Sequence, residues 1–303
     1  MRGKTGRILS VLLLSAILAG CGAEGKEEKM SDTVDESARE TERQPVIRTG
    51  DIRELEPERD YTALGNELFR FEPADPVYRI VQGGYFDGER WYIAMLNNSD
   101  PDGWEKVKIQ VMDSKGTLLR VSEPLSIDHA NNLTYLPDEG VLFSSNCQSP
   151  DKHYAVYSKI DPVSLTVTES GELPYPFFSM AYSPEKEMFA SGEWAGQTLD
   201  IWNRNLELVM RREVECPAST SQGVFCDANA IYFVRSGNGK ARSEIRIYDW
   251  SLNLVRVLPV ALGGDYEPEN INIVGGKTYI VSNNLTWTGG IVFDVTYQDN
   301  RAH

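Results

Sequence analysis

Five copies of one segment, starting at Gln82, His129, Pro176, Gln222 and Glu269, lie 47, 47, 46 and 47 residues apart in this 303-residue chain. The clearest pair is QGGYFDGERWYI from Gln82 and QGVFCDANAIYF from Gln222, which share Gln-Gly-x-aromatic-x-Asp followed by Tyr92 and Tyr232. ENINIVGGKTYI from Glu269 puts Tyr279 at the same place. HANNLTYLPDEGVLF and PFFSMAYSPEKEMF are looser copies aligned on a Leu/Met-x-Tyr-x-Pro core. A repeat of this length is one supersecondary unit that cannot bury its apolar face alone, so neighbouring copies must stack.

Each copy contains a second mark, a strand-like run closed by Asp or Asn: IQVMD to Asp113, VYSKID to Asp161, LDIWN to Asn203, IRIYD to Asp249 and GIVFD to Asp294. These side chains can turn the backbone by accepting its N–H groups. An apolar strand follows in the first four copies, and no long amphipathic helical pattern interrupts them. Four short antiparallel strands at this period make one blade, and the chain is read as an all-β protein, a β-propeller of five blades. Six blades is the alternative, disfavoured because residues 51–75 do not read as strands. The fifth copy lacks a fourth strand, whereas PVYRIV stands unpartnered before the first copy. Since a ring must close to remove its edges, residues 77–81 are expected to supply the outer strand of the last blade.

Residues 1–20 are excluded from the fold as a signal segment. Arg2, Lys4 and Arg7 precede an apolar run that is short for a membrane span. It ends in Leu18-Ala19-Gly20-Cys21, which resembles the lipobox of bacterial lipoproteins. The resemblance implies a lipid on Cys21 and a membrane-anchored chain facing outside the cytoplasm. The alternative is an ordinary signal peptide with a chance cysteine. Residues 21–75 are charged and poor in aromatic residues, which reads as a flexible stalk. Residues 76–303 are assigned to the propeller.

Propeller topology gathers the blade starts at one end of the axis. Gln82, His129, Asn131, Gln222, Glu267, Glu269 and Asn270 are the candidate ligand-binding residues there. Polar side chains interrupt otherwise apolar strands at these positions; bridging of neighbouring blades or holding of channel water is the competing role. Loops expected on the same face carry Trp104, Trp194 and Trp287, whose rings could stack on a sugar or instead pack under their own loops. Cys147, Cys216 and Cys226 show no Cys-x-x-Cys spacing, and Cys226 stands where the first copy has Phe86, so a buried thiol is expected. The pattern implies no metal site and no cofactor. A net charge of −15 argues against nucleic acid as a partner.

His129-Ala130-Asn131-Asn132-Leu133-Thr134-Tyr135, the Gln-Gly starts and Glu267-Pro268-Glu269-Asn270-Ile271 resemble blade starts in the propeller domains of Gram-positive surface lipoproteins. Related copies often carry Asp at the place of Asn132 and Gly at the place of Asn270. The resemblance implies the propeller and brings no particular activity. Two functions fit these residues. One is a module binding an extracellular glycan, a cell-wall fragment or another envelope protein. The other is a glycoside-active hydrolase or lyase using axial carboxylates, for which Asp128, Glu193, Glu267 and Glu269 are the candidates.

Overall fold

The alternating segments form short strands that pair with their sequence neighbours. A computed structural model describes residues 46–97, 106–146, 155–175, 177–193, 196–215, 219–237, 242–286 and 288–301. Two strands precede the repeats, β1 (Ile47–Arg48) and β2 (Tyr61–Phe71), with a 3-10 turn at Ile52–Glu54 between them. The first blade is β3 (Tyr78–Phe86), β4 (Arg90–Asn97), β5 (Val107–Asp113) and β6 (Leu118–Val121). The second is β7 (Asn132–Leu136), β8 (Val141–Asn146), β9 (Ala155–Ile160) and β10 (Val167–Leu173). The third is β11 (Ser179–Ser183), β12 (Met188–Gly192), β13 (Thr198–Asn203) and β14 (Leu208–Glu213). The fourth is β15 (Thr220–Cys226), β16 (Ile231–Ser236), β17 (Ser243–Tyr248) and β18 (Leu254–Ala261). The fifth begins with β19 (Tyr266–Val274), β20 (Lys277–Asn284) and β21 (Gly290–Asp299).

The turn that leads to the outer strand follows the Asp/Asn signal in four blades. Asp113 Oδ1 accepts from the N–H groups of Lys115 and Thr117, and Asp161 Oδ1 from those of Val163 and Ser164. Asn203 Oδ1 accepts from Asn205 and Glu207, and Asp249 Oδ1 from Ser251 and Asn253. Asp294 does not behave this way. It lies inside β21, paired with Asn66 and Tyr279, and the strand continues past it to Asp299.

That missing strand comes from the N-terminal side, but from a different segment than expected. β2 runs antiparallel to β21 from Tyr61↔Asp299 to Phe71↔Gly290 and forms the outer strand of the fifth blade. Residues 77–81 instead belong to blade 1, where Tyr78, Ile80 and Val81 in β3 pair with Asn97, Leu96 and Met95. Of the stalk assigned to residues 21–75, the described part, residues 46–75, is corrected in the same way: β1, the 3-10 turn and β2 all belong to the folded unit. The signal in β2 is masked because Leu64 and Leu68 stand among its polar positions, and the register shifts between Glu67 and Phe69. Val260↔Ala63 and Ala261↔Leu64 also join β18 to β2 in parallel, linking the outer strands of blades 4 and 5.

The core is a ring of five apolar layers, one between each neighbouring pair of blades. Tyr92 and Ile109 meet Leu133 and Leu142 between blades 1 and 2, and Phe143 meets Met180 and Trp202 between blades 2 and 3. Leu199 meets Phe233 between blades 3 and 4, and Val234 meets Ile271 and Phe293 between blades 4 and 5. Trp91 and Met95 meet Val281 and Val292 across the closing interface, with Phe69 and Phe71 of β2. Cys226 is a free, buried thiol in the layer between blades 3 and 4, and burial pushes its pKa up. Cys21, Cys147 and Cys216 lie outside the described residues. Among the described residues no helix is long and apolar enough to cross a membrane.

Candidate ligand site at the blade-start end

The repeated Gln-Gly is a β-bulge. In blade 1 the ladder passes from Val81↔Met95 to Gly84↔Ile93, so Gln82 and Gly83 together oppose one residue. Blade 4 repeats this between Ser221↔Arg235 and Val224↔Phe233, leaving Gln222 and Gly223 in the bulge. In blade 5 the extra residue is Glu269, between Pro268↔Ser282 and Asn270↔Val281. A bulge re-aims a side chain that regular pleating would send into a sheet face. Here it does so at one position in three innermost strands, carrying Gln, Gln and Glu.

The glycines follow from how closely the innermost strands approach at the axis. A Cβ on Gly223 would lie 2.7 Å from Glu269 O, and one on Gly83 would lie 2.9 Å from Asn132 N. Gly83 N–H donates to Ala130 O at 2.9 Å, tying blade 1 to blade 2.

Below the bulges, three asparagines tie the five blades together. Asn132 Nδ2 donates to Met180 O at 3.0 Å, and its Oδ1 accepts from Val224 N at 3.0 Å and Asn270 Nδ2 at 2.5 Å. Asn272 Nδ2 donates to Asn270 Oδ1 at 3.0 Å, and Phe86 N donates to Asn272 Oδ1 at 3.1 Å. Asn270 is thus a blade-bridging residue. Asn132 and Asn272 escape the sequence-based candidates, although asparagine at alternating positions of an inward strand is their signal.

Gln222, Glu267 and Glu269 come together across blades 4 and 5. Gln222 Nε2 donates to Glu267 Oε1 at 3.0 Å. Burial raises the Glu267 pKa, opposed by hydrogen bonds from Ser236 and Gln222. Glu269 is 4% exposed, and its pKa is raised well above the usual carboxylate range, by burial first and by Glu267 second. Both side-chain polar atoms of buried Asn131 lack a hydrogen-bond partner, as do Ser179 Oγ, Ser221 Oγ, Ser282 Oγ and Asn283 Oδ1. All of these lie at or beside the blade starts: Ser282 and Asn283 face Pro268 and Glu267 across the β19–β20 ladder. The sequence offers no sign of the serines, which are common in sheets and differ here only in what they lack.

Gln82 is half-buried beside this group. His129 Nδ1 lies 2.7 Å from Asp128 Oδ1, its own neighbour in the chain. Asp128 and Ala130 hold left-handed backbone, with φ of 53° and 50°, in the turn that delivers Asn131. Such conformations persist in non-glycine residues only where the surroundings over-determine them. Trp104, Trp194 and Trp287 lie outside the described residues. Among the described residues no group of three or more His, Cys, Asp or Glu side chains could hold a metal ion.

A ring of four-stranded blades with polar side chains around one end of its axis defines the chain as a β-propeller, a fold suited to ligand binding or protein docking. Myxococcus xanthus glutaminyl cyclase is similar in structure, with a TM-score of 0.56 and 11% identity over 79% of this chain and 99% of that one. At that identity the likeness is one of fold. U3-55K and the RRP9 WD40 repeats give TM-scores of 0.43 and 0.42, each at 11% identity, over 74% and 78% of this chain and 61% and 62% of theirs. Actin-interacting protein 1-2 of Arabidopsis thaliana is 30% identical over 115 residues, which span 37% of this chain and 19% of that protein. No protein-family model matches the chain.

Proposed function

We propose that this propeller is a ligand-binding module whose site is the blade-start end of the axis, and that it takes a hydroxyl-rich ligand, a glycan or cell-wall fragment. The observation that carries the reading is the gathering of unmade hydrogen bonds there. A buried polar atom without a partner costs about 1–3 kcal/mol, and five of the seven such side chains among the described residues lie at or beside the blade starts, the others being Tyr61 and Trp91. The amide of Asn131 and the serine hydroxyls both donate and accept, as sugar hydroxyls do. The buried carboxyl at the Glu269 bulge adds to that cost.

The test is retention of the domain by immobilised oligosaccharides and peptidoglycan fragments, using Gln222→Ala and Glu269→Gln. Both variants are expected to lose ten-fold or more in affinity while remaining folded. Glu269→Gln also melts higher than the parent at pH 7. The sign follows from the raised pKa: the unfolded carboxyl ionises first, so the folded state loses stability as pH rises above the ordinary glutamate value. The advantage of the variant therefore closes toward pH 4. No retention, or strong destabilisation by both changes, overturns the reading and leaves these side chains as blade bridges.

The proximity of the Glu267 and Glu269 carboxyls favours one second reading, a glycoside-active enzyme using both of them as an acid–base pair. In that case Glu269→Gln keeps ligand and loses turnover. We further propose that the module is held at a membrane surface by lipid on Cys21, facing outside the cytoplasm, as the lipobox-like Leu18-Ala19-Gly20-Cys21 supports. Cys21→Ser is expected to abolish incorporation of labelled palmitate and release the protein from the membrane fraction. Retention through a carbonate wash rules the anchor out.

A further inference from the structure

The two best copies of the repeat present an aromatic ring, an aspartate and a tyrosine at their far ends, away from the axial site. Tyr85, Asp87 and Tyr92 of blade 1 correspond to Phe225, Asp227 and Tyr232 of blade 4. In each case the aspartate closes the first hairpin of the blade. Asp227 Oδ1 accepts from Asn229 and Ala230 N–H, and Asp87 Oδ1 accepts from Glu89 and Arg90 N–H. One carboxylate oxygen of each is thereby used by the turn, and the other takes no part in it.

In blade 4 the gap to the next blade is filled from within the chain. The segment Asp51–Leu55 lies over the layer between blades 4 and 5, with Ile52 and Leu55 buried in it. Arg53 Nη1 reaches Asp227 Oδ2 at 3.6 Å, while its Nε is held by Asp51. The Tyr232 hydroxyl donates to the same Asp227 oxygen at 3.4 Å. An arginine with Ile52 and Leu55 buried close by thus occupies the Tyr/Asp gap of blade 4, held by Asp51 and facing Asp227.

The corresponding gap between blades 1 and 2 has no such plug among the described residues. It is a cleft of about 510 Å³ lined by Tyr85, Asp87, Glu89, Tyr92, Tyr135 and Leu142, with no lysine or arginine among the described residues of its lining. Tyr85 stacks on Tyr135 with ring centres 6.0 Å apart, and lies 6.2 Å from Tyr92. Tyr92 is 4% exposed, so its ring forms the floor of the cleft. Ring faces and two carboxylates suit a planar cation with several N–H donors. We infer that this cleft docks an arginine side chain presented by a short segment of a partner protein. The inference does not depend on the axial site, which lies at the other end of the strands.

The experiment is titration of the isotope-labelled protein with acetyl-Ala-Ile-Arg-Ala-Leu-amide, followed by NMR. Saturable shifts are expected at Tyr85, Gly88 and Tyr135, with binding weakened by added salt. The same peptide with Gln for Arg is expected to bind at least ten-fold more weakly. Asp87→Asn keeps the turn acceptor but removes the charge and should weaken the Arg peptide five-fold or more, with Glu89→Gln as the exposed second variant should Asp87→Asn unfold. Equal binding of the Arg and Gln peptides would mean a merely apolar groove, and equal binding of methylguanidinium alone would mean a small-molecule site. Either result, or the absence of shifts at millimolar peptide, overturns the inference.

Discussion

A chain that starts at residue 73 is expected to lose its cooperative thermal transition, whereas one that starts at Val46 retains every described strand. The first lacks β2, and with it the buried side chains of Tyr61, Ala63, Phe69 and Phe71. Three of these are large aromatics, each contributing about 1.5–3 kcal/mol by burial. Their sum is comparable with the whole stability of a domain, about 5–15 kcal/mol. The truncation also exposes the full length of β21 as an unpaired edge beside β18, which loses its parallel contact at Val260 and Ala261. Calorimetry on the two chains checks the expectation, together with light scattering for edge-driven association. A melting temperature unchanged by the truncation would show that the ring does not depend on β2.

Asn132→Ala is expected to destabilise the domain by about 3–5 kcal/mol, because it strands three buried polar groups at once. Met180 O, Val224 N and Asn270 Nδ2 all lose their partner, and they belong to blades 3, 4 and 5. Asn132→Asp separates the contributions: a carboxylate still accepts from Val224 and Asn270 but meets Met180 O without a proton to donate. Its deficit should shrink as pH falls and the acid protonates. Urea denaturation of both variants at pH 5 and pH 8 measures this. A cost below about 1 kcal/mol for Asn132→Ala would mean that the axis repacks around the missing amide.

Much of the architecture is legible because it depends on local pattern. Strand alternation and the Asp or Asn turns act over a few residues, so Asp113, Asp161, Asn203 and Asp249 are where the spacing puts them. The same reasoning fails at Asp294, whose role is set by a strand that is its neighbour in space and distant in the chain. The outer strand assigned to residues 77–81 fails for a related reason. A strand that starts before a bulge looks like a separate strand, since the bulge at Gln82 and Gly83 breaks the alternation. The candidate site is legible as a set of polar blade starts. Gln222, Glu267 and Glu269 do converge, Asn270 serves to tie blades together, and His129 turns to Asp128.

The number of blades, the order of strands within each and the end of the axis at which the polar starts gather can all be read from the repeats. They follow from a local code, in which each unit carries its own alternation and its own turn. Which strand closes the ring, what Asn132 holds, and which buried polar groups lack a partner emerge only once the blades are packed together. Distance along the chain is the cause. Tyr61 pairs with Asp299, and Asn132 meets Asn270 across 138 residues of sequence. Arg53 reaches into one Tyr/Asp gap, and among the described residues no counterpart enters the other, a difference invisible in two segments that share their Gln-Gly, Asp and Tyr positions. Contacts of that kind are selected by the closed shape of the ring, and no local period records them.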